Sequence, residues 1–377
     1  MSRPAETEVA VIGGGIAGCA TALFLRRRGI PVVVLERDRC GVRASGVNFG
    51  GVRHQGRDLR ELPLSLRGRE VWQNLAALIG IDGEHMQTGH LRLARSAEDM
   101  QVLERYREAA RPLGLELELL GRDALGLRFP WIGALPAGGS FCPLDGHANP
   151  RLVAPAFAAA ARAAGAEIRE GAEVATAERD GDVFRLALRG GPELRCRILV
   201  NAAGAWGNRI AGLFGERVEM RAEVPQVMVT EPAPYRIAPV LGVIGGDLYL
   251  RQIPRGNVIF GGGEGIAEGA DHLLSRPRAE VAATAAAMAA RIAPFVAKLS
   301  VIRMWTGVDG TTADGCPVVG PSERVPGLLH AFAFCGHGFQ LGPAAGLVLT
   351  ELIADGRTTT PIDGLSIARF RMQHRVA

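Results

Sequence analysis

The stretch EVAVIGGGIAGCATALFLRRRGIPVVVLERD, residues 8–38, decides the fold class of this chain. A short apolar run at 9–12 precedes a glycine turn and an apolar-faced helix that continues to about Arg28. A second apolar run follows at 32–35. This order of strand, helix and strand predicts one βαβ unit with parallel strands.

Three glycines in the turn predict a dinucleotide site. Gly13, Gly15 and Gly18 form G-x-G-x-x-G between the first strand and the helix. The first allows the tight turn, the second lets the backbone approach a diphosphate, and the third lets the helix pack on the strand. Glu36, at the end of the second strand, is placed to hydrogen-bond a ribose diol. At this point the nucleotide could be NAD or FAD.

The composition indicates a protein of two interlocked domains. The chain has 377 residues, of which 47% are hydrophobic and 22% charged, and its formal net charge is +4. The basic residues are scattered among acids, which argues against a nucleic-acid surface. No apolar run is long enough to span a bilayer and the start has no signal-peptide pattern, so a cytoplasmic protein is expected.

The cysteines indicate neither a disulfide framework nor a metal site. Their spacing contains no C-x-x-C pair and no nearby histidine pair, so we expect reduced, mostly packed thiols and no metal. The six are Cys19, Cys40, Cys142, Cys196, Cys316 and Cys335.

Elements of the nucleotide-binding type occupy the start, the middle and the end of the chain, with antiparallel-looking segments between them. A second glycine run at 261–265 lacks the third glycine and is interpreted as a strand end, so one nucleotide site is expected and FAD is favoured. The predicted fold is α/β: a Rossmann-like FAD-binding domain interwoven with an α+β substrate domain built on an antiparallel sheet. The FAD-binding domain is predicted at 1–85, 145–217 and 305–377, and the substrate domain at 86–144 and 218–304. The elements predicted between the motifs are helices at 63–79, 97–111, 279–292 and 343–354 and strands at 218–230, 247–253, 258–262 and 328–334.

Five segments together resemble the D-amino-acid oxidase family, including its glycine oxidase, sarcosine oxidase and D-hydroxyproline dehydrogenase branches. They are the opening βαβ unit, RASGVNFGGV, VNAAGAWG, DGCPVVGP and FCGHGFQLGPAAGLVLTELI, in the family's order over nearly the whole chain. The resemblance implies an enzyme in which FAD takes a hydride at N5 from the carbon beside an amine, after which the imine hydrolyses to an oxo acid.

The resemblance also implies which residues bind FAD. Beside the three glycines and Glu36, these positions follow the family's motifs, several of them acting through their backbone. They are Ile16, Ala17, Arg37, Arg43, Ala44, Ser45, Asn48, Gly50, Gly51, Val174, Ala203, Gly204, Trp206, Gly307, Gly336, His337, Gly338, Phe339 and Gln340.

The closing segment predicts a helix whose N-terminus faces the flavin. Gly336, Gly338 and Gly342 precede it, and Pro343 is placed in its first turn. The helix dipole would stabilise the negative charge of reduced flavin by about 0.5 to 2 kcal/mol. His337 either adds to this effect or caps the loop.

The substrate side departs from the family. Relatives resembling this chain carry a carboxylate-binding arginine where Asp309 stands, and Asp309 either attracts a substrate ammonium or is solvated. The carboxylate then needs another cation. The candidates are Arg53 with His54, or Arg251 with Tyr249, which share one face of a strand.

The resemblance leaves the attachment of the flavin and the electron acceptor to be predicted. The cysteine that holds flavin covalently in monomeric sarcosine oxidase aligns with Arg303, so noncovalent FAD is expected. The lysine that assists oxygen there has no counterpart, so O2 or a respiratory carrier could accept the electrons. The expected substrate is a small anionic amino or imino acid: a D-amino acid, an N-substituted glycine such as sarcosine or iminodiacetate, or D-hydroxyproline. The alternatives are a catalytic subunit of a hetero-oligomeric amine dehydrogenase resembling hydrogen cyanide synthase or opine oxidase, and a non-catalytic flavoprotein.

Overall fold

The computed structural model describes residues 5–133, 136–269, 271 and 273–375. The first four and last two residues of the predicted FAD-binding domain therefore lie outside the described part. Its α-helices are α1 Ile16–Arg27, α2 Ala44–Val47, α3 Leu62–Gln73, α4 Leu75–Ile79, α5 Ala97–Ala110, α6 Arg122–Arg128, α7 Pro150–Ala163, α8 Gly207–Leu213, α9 Ala279–Ile292 and α10 Gly338–Asp355. Its strands are β1 Ala5–Ile12, β2 Val32–Glu36, β3 Gly51–Val52, β4 His90–Ala94, β5 Glu118–Gly121, β6 Gly138–Cys142, β7 Gly146–His147, β8 Glu167–Glu170, β9 Val174–Asp180, β10 Val183–Leu188, β11 Leu194–Asn201, β12 Met220–Glu223, β13 Pro225–Pro232, β14 Val240–Val243, β15 Tyr249–Gln252, β16 Asn257–Glu264, β17 Ile266–Glu268, β18 Leu274–Arg276, β19 Val301–Thr306, β20 Asp309–Thr312, β21 Val318–Pro321 and β22 Leu328–Phe332.

The first sheet contains the predicted βαβ unit. Its strand order is β21-β22-β11-β1-β2-β8, and β22, β11, β1, β2 and β8 are parallel neighbours. The antiparallel hairpin β9–β10 adds to β11. Because β1 lies between β11 and β2, the glycine turn after β1 sits in the middle of the sheet's carboxyl edge, where nucleotides bind in open α/β sheets.

Side chains of the central strands alternate between two cores. On β1, Val9 and Val11 face the helices α1, α7 and α10, whereas Ala10 and Ile12 face the layer that contains β9, β10 and α8. All four are almost fully buried. A strand covered on both sides is apolar at consecutive positions, which is why residues 9–12 form a continuous apolar run rather than an alternating one.

The second sheet has the order β19-β13-β16-β15-β14-β4-β6-β5. All its pairs are antiparallel except β14 with β4, which is parallel. The alanine-rich helix α9 packs on one face through Ala285 and Ala289, against strand residues such as Phe260. Small alanine side chains let the helix approach the sheet closely. Because α9 covers only this face, the other face of the sheet can line a site.

Two predicted elements are divided in the structure. The helix expected at 63–79 ends at Gln73 and begins again at Leu75, because Asn74 takes a non-helical conformation and caps both pieces. The strand expected at 218–230 is two strands in different sheets: β12 pairs with β20, whereas β13 pairs with β16 and β19. The chain changes sheet at Val224, whose side chain is buried.

The chain passes repeatedly between the two sheets. We therefore propose that the two domains have borders close to the predicted ones. The exception is the last border, because β19 belongs to the second sheet through Thr306 rather than ending at 304. Among the helices that the structure describes, none combines the length and apolar character needed to cross a membrane.

Candidate functional site

A cavity of about 680 Å³ lies where the two sheets meet. Its size falls within the range of small-molecule and cofactor sites. Most of the residues predicted to bind the cofactor line this cavity, although their segments are far apart in the chain. They are Gly13, Gly15, Ile16, Ala17, Glu36, Arg37, Arg43, Ala44, Ser45, Asn48, Gly50, Gly51, Val174, Ala203, Gly204, Trp206, Gly307, Gly336, His337, Gly338 and Phe339.

The glycine turn forms a cradle that larger residues would fill. Gly13 has φ +109°, and a Cβ there would collide with the carbonyl oxygen of Ala202. Gly18 does not line the cavity, because its Cα faces the carbonyl oxygen of Gly13 and serves helix–strand packing, as the motif predicts. The N–H of Ile16 donates to Ser45 Oγ at 2.9 Å, so the first turn of α1 and Ser45 stand together at this wall.

Glu36 and Arg37 lie at the end of β2 on the cavity wall. Glu36 accepts hydrogen bonds from the N–H groups of Gly14 (2.7 Å) and Asp38 (2.8 Å), which fixes its carboxylate beside the glycine turn. The Arg37 guanidinium stacks 3.8 Å from the centre of the Trp206 ring. Arg37 Nη2 is buried without a hydrogen-bond partner among the described residues. Burial and the nearby Arg43 lower the pKa of Arg37. The glycine cradle, the fixed carboxylate and an unpaired N–H beside a flat ring fit a dinucleotide.

The segment 43–51 curls around the cavity as one helical turn and a short strand. Asn48 holds it: its amide donates to the carbonyl groups of Ala44 (2.9 Å) and Ser45 (2.8 Å), and its Oδ1 accepts from Gly50 N–H. Gly50 has φ +86°, and a Cβ there would collide with Ala148. The backbone of this segment is therefore exposed to the cavity, as expected for contact with a flat ring.

Asp309 braces the turn before α10. Its Oδ1 accepts from Gly310 N–H (2.8 Å) and its Oδ2 from Gly336 N–H (2.6 Å). Burial raises the pKa of Asp309 to about 6, although these two hydrogen bonds oppose the shift. Asp309 lines the cavity while both of its oxygens accept from backbone N–H groups, and the two roles predicted for Asp309 stay predictions.

His337 lies at the N-cap of α10 with its Nδ1 3.0 Å from both carboxylate oxygens of Glu61. Burial lowers the pKa of His337 to about 4, helped by Arg57 and opposed by Glu61. Burial alone would raise the pKa of Glu61, but the hydrogen bond and charge of His337, with Arg57 and Arg53, lower it overall. The Nδ1 of His337 is therefore engaged with Glu61, and both roles predicted for His337 stay predictions.

Two residues proposed to hold a substrate carboxylate do not line the cavity. Arg251 is 5% exposed and its Nη1 is 2.7 Å from His147 Nδ1, behind Phe49 and Gly50. His54 is 1% exposed and pairs with the buried Asp145 at 2.7 Å. Strand alternation places Arg251 on the same side of β15 as Tyr249, but it cannot show how far along that face the cavity extends.

The start of α10 also differs from the prediction. The helix begins at Gly338, so Pro343 lies inside it rather than in its first turn. Gln340 is fully buried and donates to the carbonyl oxygen of Ser65 at 2.9 Å, while its own carbonyl accepts from Trp72 Nε1. Gln340 therefore fixes α10 to α3 and does not reach the cavity.

Tyr249 and Phe49 form an apolar corner of the cavity. Their rings meet edge to face with centres 4.7 Å apart. The Tyr249 hydroxyl donates to the carbonyl oxygen of Gln226 at 3.1 Å, and burial raises the pKa of Tyr249. Gly261 on β16 lies directly beneath the tyrosine ring, where a Cβ would collide with it. The second glycine run is thus part of a strand, as predicted, and makes room for this ring.

Three arginines surround one part of the cavity, and the sequence predicted only the first of them. Arg53 and Arg57 follow β3, and Arg92 is in the middle of β4. Burial lowers the pKa of Arg57 to about 9 and that of Arg92 to about 10, and Arg53 contributes to both shifts. Arg92 had a detectable signal: it lies between the core residues Leu91 and Leu93, so alternation turns it to the opposite face.

Known proteins resemble this chain over nearly its whole length. The family model described as FAD dependent oxidoreductase matches residues 8–352. An opine oxidase subunit of Rhizobium meliloti is 30% identical over 98% of this chain and 99% of that protein. Glycine oxidase of Geobacillus kaustophilus is 27% identical over 96% of this chain and 97% of that protein. The crystal structure of L-proline dehydrogenase from P. horikoshii superposes with a TM-score of 0.89 at 27% identity, covering 98% of this chain and 99% of that one.

Proposed function

The chain belongs to the family of FAD-dependent oxidoreductases, and from this premise we propose that it oxidises the carbon–nitrogen bond of a small anionic amino or imino acid. Bound FAD supplies the acceptor for the hydride that leaves the carbon next to the nitrogen. The names of its relatives support this substrate class: glycine oxidase, L-proline dehydrogenase and opine oxidase.

The observation that carries the proposal is the charge distribution around the cavity. The wall formed by the glycine turn and the end of β2 suits a dinucleotide, whereas the second-sheet side combines apolar residues such as Val240, Leu241 and Leu248 with arginines. An apolar pocket with a few converging cations suits a short carbon chain that ends in a carboxylate. Of the residues predicted to bind the carboxylate, Arg53 and Tyr249 line the cavity, and Arg53 is the cation.

The surrounding residues would orient the substrate and exclude water. The Phe49–Tyr249 corner closes the cavity with apolar surface. The N-terminus of α10 opens into the cavity at Gly338, and its dipole favours negative charge there. Asp309 holds this helix end through Gly336, so we assign Asp309 a positioning role instead of ammonium binding.

The specific amine is a choice among a D-amino acid, sarcosine, iminodiacetate and D-hydroxyproline, to which the L-proline dehydrogenase likeness adds L-proline. The test is an anaerobic screen of these compounds against the FAD-loaded protein. A substrate bleaches the flavin absorbance near 450 nm by roughly the full two-electron amount. Failure of every amine to bleach it would refute the proposal, and peroxide formation compared with dye reduction would identify the electron acceptor.

A variant links the activity to the cavity. Arg53→Gln should raise the substrate concentration needed for half-maximal bleaching by about tenfold or more, because a charge-assisted hydrogen bond contributes about 1.5–3 kcal/mol. The control is Arg95→Gln, which removes the same charge from an exposed arginine paired with Asp247. If both variants behave alike, Arg53 does not bind the substrate.

A second candidate is that the chain is the catalytic subunit of a larger dehydrogenase. It is favoured by β19, an edge strand of the second sheet on which Val301, Ile302 and Met304 are 44%, 61% and 42% exposed. Exposed apolar edges are sites of strand pairing with other chains. The relative from R. meliloti is itself named a subunit. Turnover with an artificial acceptor but not with O2, by a monomer on size-exclusion chromatography with light scattering, would favour this candidate.

A further inference from the structure

We infer that the substrate carries two carboxylates, and that Arg53, Arg57 and Arg92 together bind them. This inference rests on the proposed function and specifies its substrate class. It is drawn from the positions of the three guanidinium groups. Together they offer more N–H donors than a single carboxylate can use.

The guanidinium groups of Arg53 and Arg92 converge beside Gly56, and all three residues line the cavity. A Cβ placed on Gly56 would lie 2.6 Å from Arg92 Nη1 and 2.9 Å from Arg53 Nη1. Two positive groups so close repel each other unless an anion lies between or beside them. The left-handed backbone of Gly56, with φ +72°, leaves the room in which they meet.

Arg57 is the third cation, and it is almost completely buried at 3% exposure. Its Nε donates to the carbonyl oxygen of Arg53 at 3.0 Å, but its Nη1 has no hydrogen-bond partner among the described residues. A buried guanidinium N–H without a partner is costly. Arg57 is among the residues that line the cavity, so its positive charge acts on a ligand there.

The protein's own carboxylates are engaged elsewhere. In the part of the chain that the structure describes, none of them forms a salt bridge with these three arginines; the two buried acids nearby pair with histidines instead. Glu61 bonds His337 with both oxygens, and Asp145 accepts from the His54 ring and from the N–H groups of His54 and Gln55. His90, which also lines the cavity, is neutral because burial lowers its pKa to about 3.

A count of donors leads to two carboxylates. Each guanidinium offers five N–H groups, and a bidentate pair with one carboxylate uses two of them. Arg53 spends one bond on the carbonyl oxygen of Gln55 (2.6 Å) and Arg57 one on that of Arg53. In the described part of the chain no carboxylate pairs with the three guanidinium groups, since the nearby acids pair with histidines, and two ligand carboxylates would therefore compensate their charge better than one. Burial is the main cause that lowers the pKa of Arg57 and Arg92, and Arg53 adds to it.

The experiment compares two inert ligands with the same five-carbon chain, glutarate and pentanoate, on the FAD-loaded protein. Binding is followed by the perturbation of the flavin absorption spectrum, which needs no turnover. We expect glutarate to bind at least tenfold more tightly than pentanoate. Equal affinities would overturn the inference.

Arg92→Gln provides the second arm. We expect it to weaken glutarate at least tenfold while changing pentanoate less than threefold, with Arg95→Gln as the control of equal charge three residues away on the surface. An equal loss for both ligands would overturn the inference. If Arg92→Gln fails to fold, as judged by flavin content and thermal melting, the comparison on the unaltered protein still decides the question.

Oxidisable analogues of the same shapes separate this inference from the proposed function. Iminodiacetate corresponds to glutarate and N-ethylglycine to pentanoate. Faster anaerobic bleaching by iminodiacetate supports both proposals, and equal bleaching by the two amines refutes the second carboxylate alone. If neither these nor the screened amines bleach the flavin but glutarate still binds preferentially, the proposed oxidation fails while the two-carboxylate site stands.

Discussion

At the scale of single residues, Asp309 differs from the family pattern and has a structural role of its own. An acid at this position cannot bind a carboxylate, and the sequence left it between ammonium binding and solvation. The structure gives its two oxygens to Gly310 and Gly336, so the acid supports the backbone turn that delivers α10 to the cavity. The arginines near Gly56 bring positive charge to the cavity from another part of the chain.

The raised pKa of Asp309 predicts a pH dependence of stability. Because its folded-state pKa of about 6 is above the ordinary value of 3.8, the folded protein gains protons relative to the unfolded chain. This contribution is fully present below pH 4 and is lost as the pH rises through 6. Asp309→Asn should therefore gain stability relative to the unaltered protein between pH 5 and pH 7. Urea unfolding of the FAD-free proteins measures this; a difference independent of pH would contradict it.

The unpaired guanidinium of Arg37 predicts a contribution to FAD binding. Arg37→Leu should weaken FAD binding by about tenfold, since a hydrogen bond from a charged group contributes about 1.5–3 kcal/mol. Saturating FAD should restore normal bleaching. Arg39→Leu, at an exposed position two residues away, is the matched control. Fluorescence titration of the apoproteins gives both dissociation constants, and equal values would exclude a role for Arg37.

At the scale of elements, the packing of α10 on α1 is the contact that holds the end of the chain against its start. Gly342 and Gly346, one turn apart, face α1. A Cβ at Gly342 would lie 2.7 Å from Ile16 Cγ2, and one at Gly346 would lie 2.6 Å from the backbone N of Thr21. The glycines of the closing segment therefore serve two purposes, since Gly336 and Gly338 border the cavity while Gly342 and Gly346 serve packing.

Gly346→Ala tests this packing. The added methyl group meets backbone, which cannot yield easily, so we expect a loss of about 1–3 kcal/mol in the free energy of unfolding. Gly126→Ala in the exposed helix α6 is the control, because nothing lies within 4 Å of its added Cβ. There the better helix propensity of alanine should be neutral or stabilise by up to about 1 kcal/mol. Chemical denaturation distinguishes the two, and equal effects would show that α10 can move away from α1.

At the scale of the whole molecule, the cavity exists only because the chain crosses several times between two sheets. Cys335 is the cysteine among the described cavity-lining residues. Burial raises its pKa to about 11, so its thiol stays protonated and is a poor nucleophile at neutral pH. This supports the prediction that FAD is held without a covalent bond.

Acid precipitation checks the attachment of the flavin. The yellow colour should pass completely into the supernatant when the FAD-loaded protein is denatured with trichloroacetic acid. Colour that remains with the pellet would show a covalent link. In that event Cys335→Ser would identify whether this thiol forms it, by returning the flavin to the supernatant.

The sequence by itself determined the βαβ unit, the glycine turn of a dinucleotide site and the presence of a second, antiparallel sheet. These features depend on local patterns. Glycine spacing, apolar runs and strand alternation act within a few residues, so they can be interpreted without knowledge of tertiary contacts. The family resemblance added most of the positions that line the cavity on the cofactor side, and the family model confirms an FAD-dependent oxidoreductase.

Only the tertiary structure decided which charged residues reach the cavity. Arg251 and His54 were candidates from their positions in the sequence, yet Arg251 lies behind Phe49 and His54 pairs with Asp145 inside the protein. Arg57, four residues after Arg53, and Arg92, from the distant strand β4, line the cavity with Arg53 instead. Burial and charge compensation depend on all neighbours in space. Because this chain passes several times between two sheets, many of those neighbours are remote in sequence, and local patterns cannot predict them.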